Sequence, residues 1–336
     1  MLLTQRHHIT IPALLEDFMM KKLIFLFIAL VATVSASFAG NLSAKHGVVK
    51  DSYNFWFYNP DSVSTKEAKP LIIFLHGSSL CGRDLNRVKR YGTIDAIEKG
   101  RELDAFVIAP QNPGGSWKPA KINAIMEWAA KNYNIDESRI YVLGMSLGGY
   151  GTLDMVAAYP DKIAAAMAFC GGTTSKNFAG MSKVPLWIVH GTADRAVSVS
   201  ASDKVVAGIR QTGDDSRLIY DRVPGMNHSR PARFFYLQES YDWLFAHSLK
   251  DKNRCVNKDL TFSPDLLAGA YKDLNYGRRS KSKGNVTAGT SRKSHARAKS
   301  GKGQKTRGYR SYSKKHSKKV TASSRTRSSR SSRRNA

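Results

Sequence analysis

Acidic residues are absent from the last sixty positions. From Gly277 to Ala336 there is no Asp or Glu, against 21 Lys and Arg. With those set aside, 32 basic residues face 26 acidic ones. The formal charge of +27 is therefore the property of a tail, and a basic fold of the nucleic-acid-binding kind is excluded for the rest. Cysteine is scarce. Cys81, Cys170 and Cys255 match no metal-binding spacing, and an odd count permits at most one disulfide within the chain. Internal repeats are lacking, which excludes a solenoid or propeller. Long apolar runs are lacking too. The stretch Leu23–Ala32 is too short for a membrane span. What is present, 42% hydrophobic residues, is enough for a sizeable core and excludes a wholly disordered chain.

That short apolar run follows Met20-Lys21-Lys22 and ends in Ser37-Phe38-Ala39 before Gly40. A positive end, an apolar middle and a small-x-small stop form a secretory signal peptide. The expected organisation is a mis-assigned start over 1–19, a signal peptide over 20–39, and a folded domain over 45–248. A connector over 249–276 and a disordered Lys/Arg/Ser-rich tail over 277–336 complete it. Export to the periplasm or medium follows. Such a tail has too little apolar surface to offset the entropy of ordering. Its charge suits an anionic surface such as lipopolysaccharide, acidic glycan or lipid; nucleic acid is not the partner expected of an exported protein.

Between residues 70 and 247 strands and helices alternate. Continuous apolar runs at Leu71–Leu75, Ala105–Ala109, Ile140–Leu143, Ile163–Phe169, Leu186–Val189 and Leu218–Val223 read as buried parallel strands. Tyr53–Tyr58 is a further strand. Helices are expected over Asp84–Lys99, with a break at Tyr91-Gly92, and over Lys121–Asn132, Leu147–Ala158, Ala201–Gln211 and Phe235–His247. The fold class is α/β, a mostly parallel sheet with helices on both faces. Functional residues gather at the carboxyl ends of such strands.

One of those ends reads Gly144-Met145-Ser146-Leu147-Gly148. The bare G-x-S-x-G pattern arises by chance in about one chain in ten. Here a strand runs directly into it and a helix directly out, the context a nucleophile elbow requires. A serine hydroxyl needs a base to take its proton, and the base needs a carboxylate to orient it. Asp194 follows a buried strand by a short loop, His190-Gly191-Thr192-Ala193-Asp194. His228 lies in the loop after the last strand. Other downstream acids sit on a helix or a surface turn. His190 reads as structural and His247 as solvated. The backbone N–H groups of Leu147 and Ser78, with Ser79 as second choice, are the oxyanion donors expected. Trp117, Tyr91 and Ser79 are the candidates to line a substrate pocket, whereas Arg83 and Arg90 read as ordinary surface. No metal or organic cofactor is implied.

Together these residues resemble the α/β-hydrolase superfamily over about residues 50–248. Within it the chain is similar to phospholipase/carboxylesterases, polyhydroxybutyrate-depolymerase-like and feruloyl-esterase-like enzymes, and the prolyl oligopeptidase catalytic domain. The resemblance implies hydrolysis of carboxylic esters through an acyl-enzyme on Ser146, with His228 as base and Asp194 behind it. A small-molecule or glycan-linked ester is the substrate it suggests. Two other readings stand beside it. One is a serine peptidase of prolyl-oligopeptidase type acting on short peptides. The other is a polyanion-binding surface protein with an inactive hydrolase scaffold.

Overall fold

A computed structural model describes residues 41–60, 67–260 and 264–274. The signal-peptide and tail readings fall outside the described residues. Among these residues no helix is long and apolar enough to cross a membrane.

The described residues build an eight-stranded sheet in the order β1-β2-β4-β3-β5-β6-β7-β8. The strands are β1 (Asn41–Lys45), β2 (Phe55–Asn59), β3 (Lys69–Leu75), β4 (Phe106–Pro110), β5 (Ile135–Met145), β6 (Ala165–Phe169), β7 (Leu186–Gly191) and β8 (Leu218–Val223). Pairing is antiparallel from β1 to β4 and parallel from β4 to β8. The continuous apolar runs are explained by burial of both faces. Ile72, Phe74, Tyr141 and Leu143 feed one core cluster, while Leu71, Ile73, Leu75 and Val142 feed the other. Helix α1 spans Thr93–Glu98 and α2 spans Pro119–Asn132. The buried stripe of α2, Ile122, Ile125, Met126 and Ala129, packs into the second cluster. Helix α3 (Leu147–Ala158) is buried along most of its length. Short α4 (Phe178–Met181), α5 (Ser200–Arg210), α6 (Gln238–Phe245) and α7 (Pro264–Ala268) follow.

Three local readings change. Strand β1 has no buried residue and carries little apolar signal; it adds to the sheet as an edge. The Asp84–Lys99 segment breaks at Tyr91-Gly92 as expected, but its first part is a 3-10 turn (Leu85–Arg90) rather than α-helix, followed by α1. Gly92 has φ +100°, and a Cβ there would fall 2.0 Å from the Phe74 ring. Phe235–His247 is not one helix but the end of a 3-10 segment (Arg230–Tyr236) followed by α6. The carbonyls that would carry a continuous helix are taken by side chains: Tyr241 Oη donates to Phe235 O at 2.6 Å and Arg101 Nη2 to Tyr236 O at 2.7 Å. In the stretch read as a connector, Leu267, Ala270 and Leu274 are buried in the first cluster. Arg233 Nη1 donates to Leu267 O, and Tyr271 lies against the Tyr236 ring. That ties the segment to the 3-10 turn following His228.

Candidate active site

The end of β5 passes through Ser146 into α3. Ser146 holds φ 60° and ψ −120°, a conformation that costs a non-glycine residue about 1–3 kcal/mol and that the surroundings must impose. Its N–H donates to Phe169 O at 2.8 Å. The flanking glycines are there because nothing larger fits. A Cβ on Gly144 would lie 2.5 Å from Gly148 O, and one on Gly148 would lie 1.8 Å from Leu75 O. Both obstacles are backbone and neither yields by a rotamer change. Gly148→Ala is therefore expected to destabilise the protein by at least about 3 kcal/mol in urea unfolding. An unchanged midpoint would contradict this packing.

Asp194 and His228 meet at the ends of β7 and β8. Asp194 Oδ2 accepts His228 Nδ1–H at 2.6 Å, and Oδ1 accepts the N–H groups of Ala196 and Val197, both at 2.8 Å. The carboxylate is wholly buried. Burial pushes its pKa up, but the Val197 N–H, the His228 ring and the Ala196 N–H outweigh it. The carboxyl stays below the ordinary carboxylate range. The approach of the two loops depends on Gly191, where a Cβ would lie 1.9 Å from Met226 O. With its Nδ1 proton committed to Asp194, His228 keeps the Nε2 lone pair for another partner.

A second histidine shares the carboxylate. His190 Nε2 lies 3.3 Å from Asp194 Oδ2 and 3.0 Å from Val197 O, while its Nδ1 meets Ser202 Oγ at 2.8 Å. Buried and held at both nitrogens, it supports the Asp194 turn from beneath. Cys170, buried with φ +49°, completes a group with His190 and Asp194 whose ligand atoms lie within 4.8 Å of one another. Burial, then the Asp194 charge, pushes the Cys170 thiol well up. Asp194 and His190 already spend their atoms on the bonds above, so the cluster is a hydrogen-bond network rather than an open donor set. His247, read as solvated, is half-buried with Nδ1 on Trp243 O at 2.8 Å.

The loop after β3 supplies the opposite wall. His76 is buried, and its Nε2 accepts the Asn112 N–H at 3.0 Å. The proton therefore sits on Nδ1, which donates to Gly77 O at 2.8 Å. Leu80 N–H binds the same carbonyl. A trans peptide sends the N–H opposite to its C=O, so fixing Gly77 O also fixes the Ser78 N–H. Neither that N–H nor the Leu147 N–H, at the start of α3, has an acceptor among the described residues. Gln111 Nε2 clamps the loop further at Leu80 O and Gly82 O. Burial lowers the His76 pKa from its ordinary 6.5 to about 4. Between those values the unfolded chain binds the proton and the folded one does not. The stabilisation is full above about pH 6.5 and is lost as pH falls towards 4, about 3 kcal/mol in all. Urea unfolding across that window is expected to show this slope and His76→Gln to flatten it; equal slopes would contradict the assignment.

Ser146 and His228 line one cleft of about 570 Å³, with Ser78, Ser79 and Tyr91 on one side and Ala196, Val197 and Ala232 on the other. Tyr91 Oη accepts the Gly77 N–H at 2.9 Å. Trp117 is not in the cleft. It is buried, edge-on to His76 and Tyr53, and its Nε1–H donates to His76 O at 3.3 Å. It fills the space that Gly151 of α3 leaves open, where a Cβ would fall 2.6 Å from the indole. Trp117 thus packs behind the loop rather than against a substrate.

A strand–serine–helix elbow, a later His–Asp pair and this sheet order give the described residues the α/β-hydrolase fold. More narrowly, residues 119–242 match the phospholipase/carboxylesterase family model. The chain is 28% identical over 203 residues to feruloyl esterase B of Neurospora crassa, covering 53% of this chain and 60% of that enzyme. Over 77 residues it is 40% identical to a bifunctional acetylxylan esterase/xylanase of Neocallimastix patriciarum, 22% of this chain and 11% of the other. The crystal structure of a thermostable esterase superposes with TM-score 0.53 at 26% identity, over 62% of this chain and 63% of that one. The chain thus spans less than two thirds of the length of these relatives.

Proposed function

We propose that the protein is an exported serine esterase that hydrolyses carboxylic esters through an acyl-enzyme. The observation that carries this reading is the His228–Asp194 bond of 2.6 Å, with His228 opening on the same cleft as Ser146. In the proposed reaction Ser146 Oγ attacks the ester carbonyl and His228 Nε2 takes its proton. The oxyanion forms against the N–H groups of Leu147 and Ser78. His228 returns the proton to the leaving alcohol, and water, activated by the same ring, then releases the acid. Asp194 holds the imidazole and stabilises its charged form. The names of the relatives support a small or aromatic acyl group on a polysaccharide alcohol, a size that a cleft of about 570 Å³ accommodates. Export rests on the signal-peptide pattern, with cleavage after Ala39.

The test is turnover of p-nitrophenyl acetate and methyl ferulate by purified protein, with the matched p-nitroanilide as amide control. Ester hydrolysis with a burst of p-nitrophenol is expected, together with little amide cleavage. A folded protein that hydrolyses neither ester would overturn the reading.

A further inference from the structure

Charge is unequally arranged at the two ends of the sheet. At the amino ends of the strands cations stand among carboxylates, and several pair with them: Lys69 with Asp104, Arg139 with Asp136, Lys162 with Glu127, Arg217 with Asp214. At the carboxyl ends, where the cleft opens, carboxylates are few. Arg83, Arg90, Lys118, Lys176, Arg195 and Arg230 are exposed and have no carboxylate partner among the described residues. They stand on the loops following β3, β4, β6, β7 and β8. Those loops carry two acids, Asp84 and Asp194, and both carboxylates accept backbone N–H groups. Arg195 directly precedes Ala196 and Arg230 directly follows Ser229, two residues of the cleft wall. Unpaired like charges on loops at one end of the sheet repel each other and remain favourable only towards an anion.

We infer that the ester substrate is an anionic polysaccharide, one whose sugars carry carboxylates beside the ester. The inference rests on the esterase reading and names its substrate class. The cleft wall itself holds no charged side chain except His228 where protonated, so the acyl group it receives is uncharged. The cations lie outside it, on five separate loops, which places the recognised charge on the alcohol side and spreads it beyond one sugar. An anionic membrane fits less well. Among the described residues the exposed large apolar side chains are Val48 and Leu260, on none of these loops, so none of these loops offers one to a bilayer. Nucleic acid offers no carboxylic ester.

The experiment compares acetate release from O-acetylated polygalacturonate with release from the same polymer carboxyl-reduced before acetylation. Full-length protein is used throughout, so the basic tail is common to every variant. The expected ratio of kcat/KM, charged over neutral, is at least about tenfold at low salt, collapsing towards one near 0.5 M salt. In R195Q/R230Q the ratio is expected to fall severalfold, whereas K250Q/K252Q, which removes equal charge near the amino end, keeps it. A ratio near one in the unaltered protein, or a preference that R195Q/R230Q leaves intact, would overturn the inference while the esterase reading stands. Failure to cleave either polymer or p-nitrophenyl acetate would instead strike the esterase reading, and the inference with it.

Discussion

Replacing Ser146 by alanine is expected to lower kcat on p-nitrophenyl acetate by about 10⁶-fold while leaving the protein folded. Removing the nucleophile of an acyl-transfer site leaves only what binding and oxyanion donors supply. The fold should tolerate the change. The Ser146 side chain makes no capping bond to the helix it begins, and its anchor to Phe169 O is a backbone N–H that alanine retains. Alanine also keeps the Cβ, so the strain at φ 60° is the same in both proteins. The stability change should stay within about 0.5 kcal/mol. Kinetics and urea unfolding on the same preparation separate the two effects. Unchanged turnover in the variant would remove Ser146 from the chemistry.

Asp194→Asn is expected to cost about 10⁴-fold in kcat, with KM little changed. The reason lies in the donors around the carboxylate. Oδ1 receives two backbone N–H groups, and Oδ2 receives His228 Nδ1–H with His190 Nε2 at 3.3 Å. An amide has one acceptor to offer where the carboxylate has two. If its oxygen stays with Ala196 and Val197, its NH₂ faces two histidine nitrogens. His228 must then carry its proton on Nε2, where it cannot accept one from Ser146. If the amide turns over, its NH₂ faces two backbone donors, which costs about 1–3 kcal/mol of stability. Either arrangement predicts a loss in kcat. A variant within tenfold of the unaltered protein would show that His228 does not need this carboxylate.

The elbow was legible because three independent features follow one another directly: a buried strand, the G-x-S-x-G spacing and a helix. Gly148 confirms the steric part, since its missing side chain is what lets α3 start against Leu75 O. Asp194 and His228 were found by chain order and by the strands preceding them, and they meet as that order implies. Trp117 was misread because a tryptophan in a Gly/Pro-rich loop looks the same whether it turns outward or inward. The notch that receives it, Gly151, lies far along the chain on α3. The break near Leu237 was hidden for a related reason: the donors that take the helix carbonyls, Tyr241 and Arg101, act by tertiary contact. His190, read as structural, is buried and held at both nitrogens, but its approach to Asp194 depends on the turn between them. The cations of the cleft-side loops were present as residues, yet only the structure shows that they lack carboxylate partners among the described residues.

The proposed chemistry requires Ser146 to be an activated nucleophile. Its most direct test is peptide mapping of the full-length protein after reaction with a fluorophosphonate at neutral pH. One phosphonyl adduct is expected, on the peptide containing Gly144–Gly148, abolished by Ser146→Ala and slowed in Asp194→Asn. Absence of that adduct in folded protein, or its location on another serine, would remove Ser146 from the nucleophile's role.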